Sequence, residues 1–464
     1  MNVIYIGATI AAVLISRRSL LAGLATTSAT VLTSRSGHAA RISQSAVLLR
    51  VEAEILRERL EALSVFGRPA GGTFADGVSR VAYSDADVAG RQYVIGLMKS
   101  AGLSPRIDPA GNIFGRRAGT ETSLPPILFG SHIDSVPSGG NFDGDLGSLG
   151  ALSVMEALDR AAIRTRHPLE MVVWAAEEGV AFGRGLACSR IVAGDIKPAD
   201  MDQVWNGMRR ADAIRKVGGD PDRILEARRQ RGAYHRYVEL HIEQGGALER
   251  AEVPIGVVEG IVAIDRYDAV ITGFANHAGT TPMAERHDAL LAASHLTVAV
   301  REVVTRMAGR QVGTVGHIEV TPNAPNVVAG RAQLTIEFRD LAEDTLLKLA
   351  DALRGEIPRI EAATATTISL TNASRNPAAA ASPEVQTAVE RASADLGLKT
   401  MRLPSGAGHD AQMMAQLMPM GVIFVPSIGG ISHSPKELTK WEDCANGANV
   451  LLRTILELDS RSNL

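Results

Sequence analysis

The chain has 464 residues, 45% of them hydrophobic and 21% charged, a balance that excludes intrinsic disorder and leaves interior enough for at least two domains. A net charge of −3 and an isoelectric point near 6.4 give nucleic acid or an anionic membrane no electrostatic hold, which leaves small molecules as partners. Two cysteines, Cys188 and Cys444, are too few for a disulfide framework and read as free thiols.

Arg17 and Arg18 open an uncharged run to about Leu32, followed by small residues at Gly37–Ala40. Residues 1–40 therefore resemble a twin-arginine export signal, which would place the mature protein in the periplasm; without a working leader the protein is cytoplasmic. Met1–Ile15 is itself apolar, unlike the short polar start of such leaders. No later segment approaches the ~18 unbroken apolar residues of a spanning helix, so no membrane partner is expected.

Ala46–Leu63 has the spacing of an amphipathic helix, and Asp85–Ala101 that of a second one closed by Gly102. Short strands at Pro105–Asp108 and Asn112–Arg116 flank a turn. Ile127–Phe129 reads as a buried strand that breaks into a glycine-rich loop carrying His132, Asp134, Asp143 and Asp145. Open α/β sheets bind their ligands at such carboxyl ends, although one His-x-Asp after a strand by itself reads more readily as a solvated loop with a satisfied histidine. Leu146–Ala162 reads as a buried helix behind Asp143. The strand Leu169–Ala175 then runs into Glu177 and Glu178, Tyr237–Leu240 into His241 and Gln244, and Val422–Pro426 towards His433. Four strands that each deliver a metal-ligand residue type at the same end make a metal site the reading. Adjacent carboxylates at a strand end point in different directions, so one can bind metal while its neighbour handles protons.

The pattern changes between Gly256 and Thr371. Val257–Thr272 and Val312–Val320 are β-rich, Pro282–Arg306 and Glu343–Ala362 helical, and Arg331–Arg339 alternates as a strand before Thr366–Leu370 closes the segment. This order predicts a small α+β sandwich inserted into a larger α/β domain, with sheet edges able to pair with another copy. Asn372–Ser382 is the return linker, followed by a helix at Pro383–Leu396 and a closing helix at Asp443–Leu458. The expected division is a leader at 1–40, an outer domain at 41–255 and 372–464, and an insert at 256–371. His38, His167, His235, His287, His295 and His317 sit in contexts without a partner pattern, whereas His277 and His409 occupy glycine-containing loops of the kind that carry function.

The ordered motifs GSHIDS, GGNFDGDLG, EEGVAFG, HIEQG, HAGTTPM, PNAPNVV, FRD, SGAGHD and GGISHSPKE, spread over Glu52–Leu458, resemble those of the zinc-dependent amidohydrolases of the hydantoinase/carbamoylase group. That group includes N-carbamoyl-L-amino-acid hydrolase, allantoate amidohydrolase and β-ureidopropionase, within the aminoacylase and carboxypeptidase superfamily. The resemblance implies an α/β di-metal peptidase-like catalytic domain with an inserted α+β, ferredoxin-like lid and dimerisation domain. It implies two divalent ions, zinc or else manganese, cobalt or nickel. One would be held by His132, Asp143 and His241, and the other by the bridging Asp143 with Glu178 and His433. It also implies Glu177 as general base, His277 as a catalytic polar group, Gln244 as a substrate contact, and Asn326 and Arg339 as the grip on a substrate carboxylate. Asp134 would orient His132, and Asp145 would add a carboxylate able to alter metal preference. The implied activity is hydrolysis of a ureido C–N bond in a small ureido acid by a homodimer. The alternatives are an N-acyl amino acid hydrolase or peptidase with the same metals, and a non-catalytic periplasmic binding protein.

Overall fold

The computed structural model describes residues 49–460, so the leader lies outside the described residues. In chain order the first strands are β1 (Arg106–Ile107), β2 (Ile113–Arg117), β3 (Ile127–His132), β4 (Leu169–Trp174), the small hairpin β5 (Val204–Trp205) and β6 (Met208–Arg209), β7 (Arg236–Ile242) and β8 (Ile255–Ile261). Then come β9 (Ala263–Thr272), β10 (Asn276–His277), β11 (Val312–Thr321), β12 (Val327–Val328), β13 (Arg331–Asp340), β14 (Thr367–Asn376), β15 (Ala379–Ala380), β16 (Thr400–Ser405) and β17 (Met420–Val425).

Among the described residues, nine strands form one sheet in the order β1-β2-β4-β3-β7-β17-β8-β15, with β16 beside β8. Its centre, β4-β3-β7-β17, is parallel. These are the four strands whose ends carry the ligand-type residues, so those residues meet along one edge of the sheet. β3, β4 and β17 are buried throughout, which is why they read as continuous apolar runs rather than alternating ones. The helices Asp145–Arg160, Pro383–Asp395 and Trp441–Ser460 pack against this sheet and one another. Each fully buried Leu, Ile, Val or Phe in such layers contributes about 1.5–3 kcal/mol. Polar ends inside the core are satisfied: the Trp174 indole donates to Tyr237 Oη at 2.9 Å, and that hydroxyl lies 2.9 Å from Gly130 O.

The four-stranded antiparallel sheet β11-β13-β9-β14 carries the helices Ala289–Arg306 and Glu343–Thr364 on one face, over a separate apolar cluster that includes Leu296, Leu334, Phe338 and Leu353. The β-rich run Val257–Thr272 is therefore two strands in two sheets. β8 pairs with β16 and β17 in the large sheet, and the chain crosses at Val262 into β9. The return strand β14 continues to Asn376, into what reads in the sequence as linker. No helix among the described residues is long and apolar enough to cross a membrane. Cys188 and Cys444 are buried free thiols.

Candidate active site

His132 is the last residue of β3, and its ring is turned by the Asp134 backbone carbonyl, 3.0 Å from Nδ1. Nε2 is left facing Asp143 Oδ1 at 3.5 Å. The ring needs room, which Gly144 supplies: at φ +67° a side chain there is strained, and its Cβ would meet the imidazole at 2.4 Å. The Asp134 carboxylate is 3.8 Å from the ring and does something else. It accepts the backbone N–H groups of Glu177 and Glu178 at 3.1 and 3.2 Å, and so fixes the turn that splays these two carboxylates after β4.

His241, in β7, has Nδ1 at 2.9 Å from Ile242 O and Nε2 at 3.1 Å from Asp143 Oδ1. The other oxygen of Asp143 faces the opposite way, 3.3 Å from His433 Nε2, which is also 3.3 Å from Glu178 Oε2. Two ligand groups thus share Asp143: His132, Asp143 and His241, and Asp143, Glu178 and His433. A metal held at about 2.0–2.1 Å in a tetrahedron has donor–donor edges of about 3.3–3.4 Å. The separations here, 3.1 to 3.5 Å, suit that geometry. Glu178 Oε1 is also buried with no hydrogen-bond partner. The residues therefore fit divalent metal.

Burial opposes charge on His132, yet the carboxylates of Glu177, Asp143 and Asp134 outweigh it and hold the ring well above its ordinary range. Burial likewise opposes ionisation of Asp143, but hydrogen bonds from His132, His241 and His433 keep it well below the usual carboxylate value. Glu177 is pushed well above that value, mainly by burial, with Asp410 and Glu178 adding to the effect against His132. A buried carboxylate beside a cluster of cation-ligand residue types is a candidate group for proton transfer.

Glu177 and the members of both ligand groups line a cavity of about 400 Å³ together with Gln244, Arg266 and Arg339. Gln244 spends its amide on Asp143 Oδ2 at 2.6 Å, while its Oε1 is buried and unpartnered. Arg339 is held by Glu337 and by Gly406 O, both at 2.6 Å, and Arg266 takes the other oxygen of Glu337 at 2.6 Å. Asp145 is not a metal-side group. Its carboxylate is turned to the buried Arg80, which also donates to Ile133 O at 2.6 Å and Leu63 O at 3.0 Å. That pair braces the junction of β3 with the following helix.

His277 and Asn326 come together elsewhere, both exposed at the two-stranded β10–β12 pair, and neither lines this cavity. Nδ1 of His277 accepts from Gly279 N and Thr280 N at 3.0 and 3.2 Å, so the proton of the neutral ring is on Nε2, a donor aimed outward.

Three buried groups carry no assigned role in the sequence-based site, although His409 stands out there for its glycine-containing loop. Glu239 accepts from Ser131 Oγ, Tyr237 Oη and Ala411 N at 2.7, 3.1 and 3.0 Å. His409 stacks edge-on to His241 with ring centroids 4.4 Å apart, its Nε2 engaged with Ser405 Oγ at 2.8 Å. With His241 these two form a further candidate ligand set, but both already have partners. Glu437 joins two loops. Glu239 was findable, since Glu239 and His241 share a face of one strand.

Residues 128–457 match the sequence model of peptidase family M20/M25/M40. The chain is 37% identical over 409 residues to an N-carbamoyl-L-amino acid amidohydrolase of Geobacillus stearothermophilus, covering 88% of this chain and 99% of that one. It is 36% identical over 412 residues to the allantoate amidohydrolase of Escherichia coli strain K12, covering 87% and 98%. A crystal structure of a hydantoinase/carbamoylase family amidase from Burkholderia multivorans superposes with a TM-score of 0.81 at 34% identity, covering 89% of this chain and 99% of that one. The mixed α/β fold is of the M20 peptidase type, and the chain belongs to peptidase family M20/M25/M40, beside its carbamoylase and allantoate amidohydrolase members.

Proposed function

We propose that the protein hydrolyses the ureido C–N bond of N-carbamoyl-L-amino acids or of related ureido acids such as allantoate. The observation that carries this is Asp143 offering its two oxygens to two ligand groups, with Glu177 at 3.8 Å from His132 and Arg339 on the same cavity wall. The relatives named for N-carbamoyl-L-amino acids and allantoate support the substrate class.

The residues would hold two divalent ions, zinc or else manganese, cobalt or nickel. When bound, such ions lower the pKa of water towards 7 and polarise a carbonyl oxygen. Glu177 takes a proton from the attacking water and returns it to the leaving nitrogen. Arg339, already aligned by Glu337 and Gly406, receives the substrate carboxylate in its planar fork. His277 Nε2–H donates to the oxyanion and Asn326 assists at the carboxylate. Because neither lines its own chain's cavity, a second copy delivers them, its inserted sheet acting as lid. An N-carbamoyl amino acid then yields ammonia, carbon dioxide and the free amino acid.

Ammonia release from a panel of N-carbamoyl-L-amino acids, β-ureidopropionate and allantoate tests the reading. Turnover is expected with at least one, lost on chelation and restored by divalent metal. Release of amino acids from N-acyl substrates without any ammonia from ureido acids would assign the site to ordinary amides instead, and no turnover of either would leave a binding protein.

A further inference from the structure

The bridging carboxylate and His433 both sit on irregular backbone, Asp143 in the loop after β3 and His433 in the loop after β17. Loop N–H groups that are buried need acceptors. Those of Phe142 and Asp143 find one in a single side chain from the other loop: Glu437 Oε1 accepts both, at 3.0 and 3.1 Å. The second oxygen, Oε2, accepts from Ser432 Oγ at 2.7 Å, next to His433. Ser432 Oγ is also 3.2 Å from Asp143 Oδ2. Glu437 is only 4% exposed, and room is reserved for it, since a Cβ at Gly140 would lie 2.0 Å from Oε1. His132 and His241, in contrast, are fixed by strands β3 and β7 and need no such tie.

We propose that Glu437 is a positioning residue that sets the separation of Asp143 from His433 and so builds the second ligand group, Asp143, Glu178 and His433. The inference rests on the reading of both groups as metal sites. Glu437→Gln keeps an oxygen for the two N–H groups and turns an amide to Ser432 Oγ, which can accept. Glu437→Ala orphans both N–H groups and frees the two loops from each other. Loss of such outer partners costs about 10–100-fold in metal affinity.

The test is calorimetric titration of metal-stripped full-length protein with zinc ions, with thermal unfolding of each variant recorded alongside. The native chain is expected to take up two ions. Glu437→Gln should do the same with nearly native affinity. Glu437→Ala should weaken the second ion about 10–100-fold and the first, still held by His132 and His241, by a smaller factor. Ser432→Ala, which cuts one tie and leaves the loop amides satisfied, should weaken the second ion by a smaller factor, and it decides the question if Glu437→Ala does not fold. Native affinity for both ions in folded Glu437→Ala, equal weakening of both, or native second-ion affinity in Ser432→Ala when Glu437→Ala cannot be prepared, would overturn the proposal. Uptake of fewer than two ions by the native chain would instead remove the metal reading on which it stands.

Discussion

Glu177 and Glu178 are neighbours in sequence with opposite assignments, and one carboxylate, that of Asp134, keeps them apart by holding both their N–H groups. Glu177→Gln should therefore keep its metal while turnover falls about 10²–10⁴-fold, the range for loss of a general base. Glu178→Gln should lose metal, because its Oε2 is within 3.3 Å of His433 Nε2 in the shared group. Elemental analysis beside ammonia assays separates the two, and the reverse pattern would exchange their roles. Arg339→Lys keeps the charge but not the fork, so KM for carboxylate substrates should rise much more than KM for their amides. Equal increases would free Arg339 from the carboxylate. At this scale the sequence showed the residue types at strand ends but not where side chains turn. Asp145 reads as an extra carboxylate able to alter metal preference, and it is paired with Arg80 instead. Glu337 meets Arg339 along one face of β13, but Arg266 joins them only through the register of β9 with β13, which pairs it with Glu337, and no local pattern displays that.

The parallel strands β4, β3, β7 and β17 deliver their ligand-type residues to one edge and leave the opposite edge for structural contacts. His167 and His235, just before β4 and β7, stack there with centroids 4.2 Å apart. Burial, then the Arg236 guanidinium and His167, push His235 down to about 4, with Glu384 opposing. The unfolded chain, near the ordinary 6.5, thus binds the proton more readily between pH 6.5 and 4. Stability should fall as pH drops through that window and be insensitive to this group above it. His235→Gln should flatten the slope in urea unfolding at pH 5 and 7; an unchanged slope would place the sensitivity in other groups. The strands themselves were legible as apolar runs between turns. The division of Val257–Thr272 at Val262 was not, because both halves are β-rich and only their hydrogen-bonding partners differ.

The molecule as a whole separates the proposed oxyanion donor from the metal groups. If a second copy supplies His277, then His277→Ala and Glu177→Gln, each nearly inactive alone, should complement when mixed. A heterodimer then holds one site with an intact Glu177 and an intact His277. The expected loss for one missing oxyanion donor is about 10²–10³ in kcat, so recovered ammonia release is easily read, with native mass spectrometry verifying that mixed dimers formed. Heterodimers without recovery would return His277 to its own chain's site or remove it from catalysis.

The route of the chain between the two sheets has a consequence for engineering. It leaves the large sheet at Ile261 and re-enters it at Ala379, and these residues are antiparallel Cα partners, while Ile264 faces Asn376 just inside the smaller sheet. Everything from Val262 to Ala378 is strung on one two-stranded ribbon, so the smaller sheet is portable in the way a cassette is. A two-residue Asn-Gly turn is the natural closure for such a pair. A chain in which Asn-Gly joins Ile261 to Ala379 should fold as the large sheet with its cluster of buried histidines and carboxylates intact, and should still take up metal. It would have no Arg339, no Arg266 and no His277, which makes it a ready recipient for the corresponding sheet of a relative with different substrate preferences.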